Sequence, residues 1–324
     1  MKIIRCFILI LSLFVAGIAT AGELEKADAL FDKKQYKKSL QIFLKPEFQK
    51  IPRVQTRIGW IYRHAPGLRD DKKSFEWFKK SAEQGYDEGQ FNLAVSYQLG
   101  EGTTRDYSKA IAWYQKAADQ GLAIAYTNMG NMYSNGEGVK KDPQKALALY
   151  QKAADNGSTN AQCNIAYLFT FGEGVKKDYG KAHAALDQCL KTNANNDCCL
   201  SRMADLYRKG WGVKQDHARA NEYQRRAAAL GSGIAMFSLG AAYNYGFGVE
   251  KDDKTALDWY TKGAAAGDAR ALYRLYEVYE YGKLGQPVDK AKAKAWLAKA
   301  EPAMREQNVA RDAVTDQLRL MLEE

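Results

Sequence analysis

Glycines recur in this chain as pairs one residue apart, at Gly100/Gly102, Gly136/Gly138, Gly172/Gly174, Gly210/Gly212 and Gly246/Gly248, in steps of 36, 36, 38 and 36 residues. A period of that size restricts the fold to a stack of supersecondary units, each too short to bury its apolar face without a neighbour.

The unit is most complete from Ala123 to Ser158. Ala125, Met129, Gly130 and Tyr133 form one buried helical stripe, in which Gly130 lets a neighbouring helix approach. Asn135-Gly136-Glu137-Gly138-Val139 ends that helix, because glycine reaches positive φ at little steric cost. Asp142 is then an N-cap, and Pro143 takes the first helical position, where its missing N–H costs nothing. The second helix turns Ala146, Leu149, Tyr150, Ala153 and Ala154 to one face and stops at Gly157. The cap recurs at Asp106, Asp178, Asp216 and Asp252.

The succession L/M-G/A-x-x-Y, GxGV and D-x-x-K-A-x-x-W/Y-Y-x-K-A-A resembles the Sel-like repeat family, a branch of the tetratricopeptide superfamily. The resemblance covers roughly residues 53 to 300 in tandem copies. It implies an all-α, right-handed α-solenoid of stacked helix pairs, a concave wall built from first helices, and a usual role in protein–protein scaffolding. Few members of the family are enzymes.

Met1 to Ala21 carries Lys2 and Arg5, an apolar run from Phe7 to Ala16, and Ala19-Thr20-Ala21. That is the pattern of a secretory signal peptide cleaved after Ala21. No cysteine follows the cleavage point, which argues against a bacterial lipid anchor, and the apolar run is short for a membrane span. The expected location is periplasmic or secreted. Removing Lys2 and Arg5 lowers the formal charge from +10 to +8, a balance that favours acidic partners. No nucleic-acid motif and no second membrane-length stretch is present.

Residues 22–52 read as a degenerate helix pair capping the N-terminal end, 53–302 as about seven repeats, and 303–324 as a closing helix. The unit near Arg53 replaces its glycine loop with Ala65-Pro66-Gly67-Leu68, and the last repeat has the longer loop Gly282 to Pro287. After Pro302, the stripe Ala310, Val314, Leu318 and Met321 predicts an amphipathic helix sealing the open end.

Beyond the leader, Cys163, Cys189, Cys198 and Cys199 lie in two adjacent repeats, around the 38-residue step. An even number in an exported chain reads as two disulfides, with three possible pairings. Bonding between the adjacent Cys198 and Cys199 is strained. By register, Cys189 stands where other second helices have Ala117 or Ala153, and Cys199 where the next first helix has Ala125 or Ala161. This favours Cys189–Cys199 and Cys163–Cys198, as staples across a lengthened junction. The alternative, a zinc site, lacks paired C-x-x-C knuckles.

Catalysis finds little support. His64, His183 and His217 fall in separate units outside any metal motif. No serine is followed by lysine three residues on, and G-x-S-x-G is absent. Some secreted relatives have been described as acting on penicillin-like substrates, which keeps a hydrolase as a remote alternative by resemblance alone. No cofactor and no metal is expected.

What remains is surface. If first helices line a groove, as the resemblance implies, then Phe91, Tyr167, Phe171, Arg208, Phe237, Tyr245, Tyr273 and Tyr281 face it, and aromatics beside arginine are usual anchors of recognition. Tyr133, Phe169, Tyr207 and Tyr243 read as packing residues. Arg105, Lys140-Lys141, Lys176-Lys177, Lys214 and Lys251 repeat in the loops and form a basic edge. The expected function is that of an exported, non-enzymatic scaffold, regulator or toxin-immunity factor holding a protein or peptide in its groove. The alternative is an anionic cell-envelope glycan at the lysine edge.

Overall fold

The computed structural model describes residues 21–309, so the predicted signal peptide, but for its last residue, and the predicted apolar stripe from Ala310 to Met321 lie outside the described residues. Sixteen helices and no strands occur among the described residues. The chain divides into two compact units between Asn156 and Gly157.

In the first unit, α1 (21–32) and α2 (Tyr36–Phe43) precede the helix pairs α3 (Pro52–His64) with α4 (Asp71–Glu83), α5 (Asp87–Leu99) with α6 (Tyr107–Asp119), and α7 (Ala123–Asn135) with α8 (Pro143–Asp155). In the second, α9 (Thr159–Phe171) pairs with α10 (Tyr179–Thr192), α11 (Asp197–Lys209) with α12 (His217–Ala229), α13 (Gly233–Tyr245) with α14 (Asp253–Ala265), and α15 (Ala269–Tyr281) with α16 (Lys290–Glu306). This is the helix-pair repeat of an α-solenoid, with each core lying as a seam between neighbouring helices.

The pair α7–α8 shows why the motif folds as it does. Ala125, Met129 and Met132 are buried along one stripe. A Cβ on Gly130 would stand 2.5 Å from the ring of Tyr150, so the small residue seats the large one. Gly136 ends α7 in the left-handed region at φ 77°, and the Asp142 amide returns to the Tyr133 carbonyl at 2.8 Å. Asp142 then accepts from the Lys145 amide at 2.9 Å, while the Lys145 ammonium sits 4.1 Å over the Tyr133 ring. The same placement recurs with Lys109 on Tyr97, Lys181 on Phe169 and Arg219 on Tyr207. The lysine of D-x-x-K thus closes the cap and covers the aromatic of the preceding helix by a cation–π contact.

In four of the loops the second glycine joins one repeat to the one before. Gly138 has φ 68°, and a Cβ there would fall 2.0 Å from Cβ of Tyr107, the first residue of α6. Gly102 meets the Asp71 carbonyl oxygen, Gly212 meets Tyr179, and Gly248 meets the backbone at His217 and Ala218 in the same way.

At the N-terminal end, Ala27, Leu40, Phe43 and Phe48 share a core with Val54, Ile58 and Ile61. At the other end, α16 runs through Pro302 to Glu306 instead of stopping there. Ala300 and Met304 are buried on either side while Pro302 faces solvent, where the Ala298 carbonyl that loses its donor is open to water.

Cys163 is bonded to Cys198 and Cys189 to Cys199, with Cα separations of 6.2 and 6.5 Å. The bridges tie α11 to both helices of the preceding pair. Elsewhere the turn from second to first helix uses a left-handed glycine, as at Gly121 and Gly231. Here Asn193-Ala194-Asn195-Asn196 replaces it, and the Asn196 side chain accepts from the Cys199 amide at 3.0 Å while donating to Thr159 and Asn160.

Gly138→Ala is expected to cost more than about 2 kcal/mol, because left-handed strain adds to the overlap with Tyr107, whereas Gly121→Ala, with open space around it, should cost about 1 kcal/mol. Thermal melts of the two variants test the difference. Cys189→Ser with Cys199→Ser should lower stability by about 2–4 kcal/mol, and hydrogen exchange should place the loss around α10 and α11.

Candidate partner-binding faces

In the first unit, the i, i+4 spacing of Phe91, Val95 and Leu99 sets one stripe of α5 beside Trp60, Arg63 and His64 of α3. These residues, with Asn92, Arg69 and Glu101, line a cleft of 440 Å³. Leu99, the last residue of α5, is 52% exposed. Beneath it Arg63 is buried, its guanidinium 4.6 Å over the Phe78 ring, bonded to Ser96 Oγ at 2.5 Å, with Nε 3.0 Å from Glu101. Burial lowers the Arg63 pKa below the usual arginine range, and Glu101 opposes that shift. His64 packs on Trp60 with ring centres 4.6 Å apart and planes tilted by 38°, and burial, reinforced by the Arg63 charge, lowers its pKa, which favours the neutral ring near pH 7.

Glu101 is the middle residue of the first GxG loop, and Glu137 holds the same place in the next. Glu101 reaches back to Arg63, and Glu137 accepts from Gln98 Nε2 at 2.9 Å. The middle residue of the loop therefore clasps the first helix of the preceding repeat.

In the second unit that middle position is still acidic at Glu173 and turns aromatic in the next two loops, at Trp211 and Phe247. Trp211 stacks on Tyr179 at 5.6 Å with planes 5° apart, and meets the Phe171 ring edge-on at 6.0 Å. Phe171 in turn lies 4.8 Å from Tyr167. The Tyr167 hydroxyl donates to Glu173 at 2.8 Å, and Arg202 covers its ring at 4.7 Å. Four rings thus run in series, and Phe171 is the open one at 47% exposure. Trp211 escaped sequence reasoning, although its replacement of the loop glutamate was a visible signal.

Arg208 is half-buried and paired with Asp205 at 2.8 Å. Tyr245, also half-buried, receives a hydrogen bond from buried Arg274 at 3.2 Å, and Arg274 pairs with Glu277 at 2.9 Å. Tyr273 packs on Tyr276 at 5.3 Å. Tyr281, the last residue of α15, is 59% exposed.

Phe237 is a correction. It is 0% exposed, with its ring 5.7 Å from that of Tyr260 in the core of α13, α14 and α15. Thr127 and Cys163, at the same fifth position of their helices, are buried as well, whereas Phe91 and Tyr273 at that position are only partly buried. The remaining seven residues divide between the units, Phe91 in the first and Tyr167, Phe171, Arg208, Tyr245, Tyr273 and Tyr281 in the second. Among the described residues no group of His, Cys, Asp and Glu is arranged to hold a metal, and no helix is long and apolar enough to cross a membrane.

A family model described as Sel1 repeat matches residues 52–86, 87–122, 123–158, 159–184, 199–232, 233–268 and 269–301. The match lapses over the disulfide-bound turn. Among solved structures, the chain is similar to a Sel1 repeat protein from Oxalobacter formigenes, with 32% identity, a TM-score of 0.57, and coverage of 86% of this chain and 99% of that one. It is also similar to a protective antigen of uropathogenic Escherichia coli displaying an SLR fold, with 28% identity, a TM-score of 0.65 and coverage of 83% of this chain. The match spans 56% of the antigen's own length. No curated protein matches the chain.

Phe237→Ala should cost about 3–5 kcal/mol, whereas Phe171→Ala and Tyr281→Ala should each change stability by no more than about 0.5 kcal/mol. Denaturant titration of the three variants distinguishes the buried ring from the open ones.

Proposed function

The chain belongs to the Sel1 repeat family, and from that premise we propose that it is an exported, non-enzymatic scaffold that binds a protein partner through the exposed ends of its first helices. The observation that carries this reading is the thirteenth position of those helices. Leu99, Phe171 and Tyr281 all occupy it, at 52%, 47% and 59% exposure. In each unit, large apolar side chains left uncovered at this register mark a contact surface. Tyr245 holds the same thirteenth position half-buried, and half-buried Arg208 precedes it by one position in its own helix; the two supply polar anchoring in the second unit.

Export is supported by the two disulfides, which persist in oxidising compartments, and by the leader pattern of Met1 to Ala21. The likeness to a protective antigen agrees with that placement. A toxin-immunity or envelope-assembly role falls within the same reading.

The test is affinity capture from envelope extract with mature protein, beside a Leu99→Ala/Phe171→Ala/Tyr281→Ala variant checked for an unchanged melt. The expected outcome is a protein retained by the wild type and lost by the variant. Retention of a glycan by both, released by moderate salt, would move the function to the lysine edge. Turnover of a penicillin-like substrate by clean protein would overturn the non-enzymatic part.

A further inference from the structure

The N-terminal helix pair carries a second concavity, remote in the sequence from the row just described. The turn between α1 and α2 and the loop Ala65 to Leu68 enclose a cleft of 660 Å³. Its floor is aliphatic, with Pro66 and Leu68, and its rim is Lys34, Lys37 and Lys38 with Tyr36 between them. No carboxylate lines it. Lys38 donates only to Gln35 at 3.3 Å, and Lys34 and Lys37 have no acidic partner among the described residues.

Lys34 is also one of three non-glycine residues in the left-handed region among the described residues, at φ 59°. Its amide bonds the Phe31 carbonyl and the next amide bonds that of Leu30, at 2.8 Å each. This is the helix-ending turn that glycine serves best, and a lysine there is held against a backbone preference. What the lysine adds over glycine is an ammonium at the mouth of the cleft.

We propose that this cleft receives an acidic peptide segment of a partner protein, with an apolar side chain on Pro66 and Leu68 and its carboxylates against Lys34 and Lys37. The rim dictates the sign of the charge, and the floor requires an apolar group beside it. A sugar fits less well, because the Tyr36 ring, the one aromatic lining the cleft, is already packed against Phe31 and Trp60 at 5.5 and 5.3 Å and is partly buried. The inference rests on the reading that the partner is a protein, but it names a different surface.

The experiment is fluorescence anisotropy of the mature protein with a labelled peptide alternating Glu and Leu, set against a Gln-Leu peptide and oligogalacturonate. Lys34→Gly is expected to raise the melting temperature and weaken Glu-Leu binding by about fivefold or more, and Lys37→Gln to weaken it similarly with an unchanged melt. The Leu99→Ala/Phe171→Ala/Tyr281→Ala variant should bind this peptide as the wild type does, so failure here leaves the first-helix row standing. Equal binding of the Gln-Leu peptide would overturn the proposal. So would binding indifferent to both lysine substitutions, or oligogalacturonate binding where the peptide does not.

Discussion

The array depends on one close approach, that of the second loop glycine to the N-terminus of the preceding second helix. At Gly138 the gap to Tyr107 leaves no room for a Cβ, and the same holds for Gly102 against the Asp71 carbonyl. A helix pair of this length buries too little apolar surface to stand alone. The contact sets how closely one repeat can sit on the next, and thereby lets the seam residues on both sides leave water together. Positive φ at that glycine and absence of a side chain are thus two requirements met by one residue.

Most of the architecture was legible because its determinants are local and periodic. Asp142 as N-cap, Gly136 as helix end and Gly130 as a point of close helix approach each follow from sequence spacing and reappear as geometry, with Tyr150 as the neighbour at Gly130. Reading the cysteines by repeat register likewise places bonded pairs together. The misreadings concern which way a side chain points. Phe237 sits at a first-helix position assigned to the groove, yet the seam with the next repeat takes it, since helical rotation between adjacent stripes is finer than a register argument distinguishes. The segment boundary drawn after residue 302 falls inside α16, where Ala300 and Met304 are buried while Pro302 faces solvent. Trp211 was passed over because its loop position is acidic in Glu101, Glu137 and Glu173, and only the fold shows that this position reaches neighbouring rings.

The 38-residue step shows what replaces a lost local signal. Without a left-handed glycine, the turn at Asn193 to Asn196 has no conformational reason to be tight. Two covalent bonds and a branching asparagine side chain take over the task. This substitution works only where thiols oxidise, so the weakest point of the family pattern is also the part of the fold whose integrity depends on redox conditions.

The basic excess of the chain is less available than its sum implies. Lys73, Lys109, Lys181 and Lys292 each pair with the N-cap aspartate three residues before them, at 3.1, 3.2, 3.9 and 3.6 Å. Each also covers an aromatic ring of the preceding helix. These lysines are structural, and their charge is largely answered within the repeat. Arg63 and Arg274 are likewise committed to Glu101 and Glu277 in buried pairs. Such pairs contribute more to fixing one arrangement than to attracting a partner. Lys34 and Lys37, which stand where the cap departs from the repeat grammar, are not committed in this way: no carboxylate lines the cleft they border. A reading of charge by totals counts every lysine alike, whereas a reading by partners sets the committed lysines of the repeats apart from these.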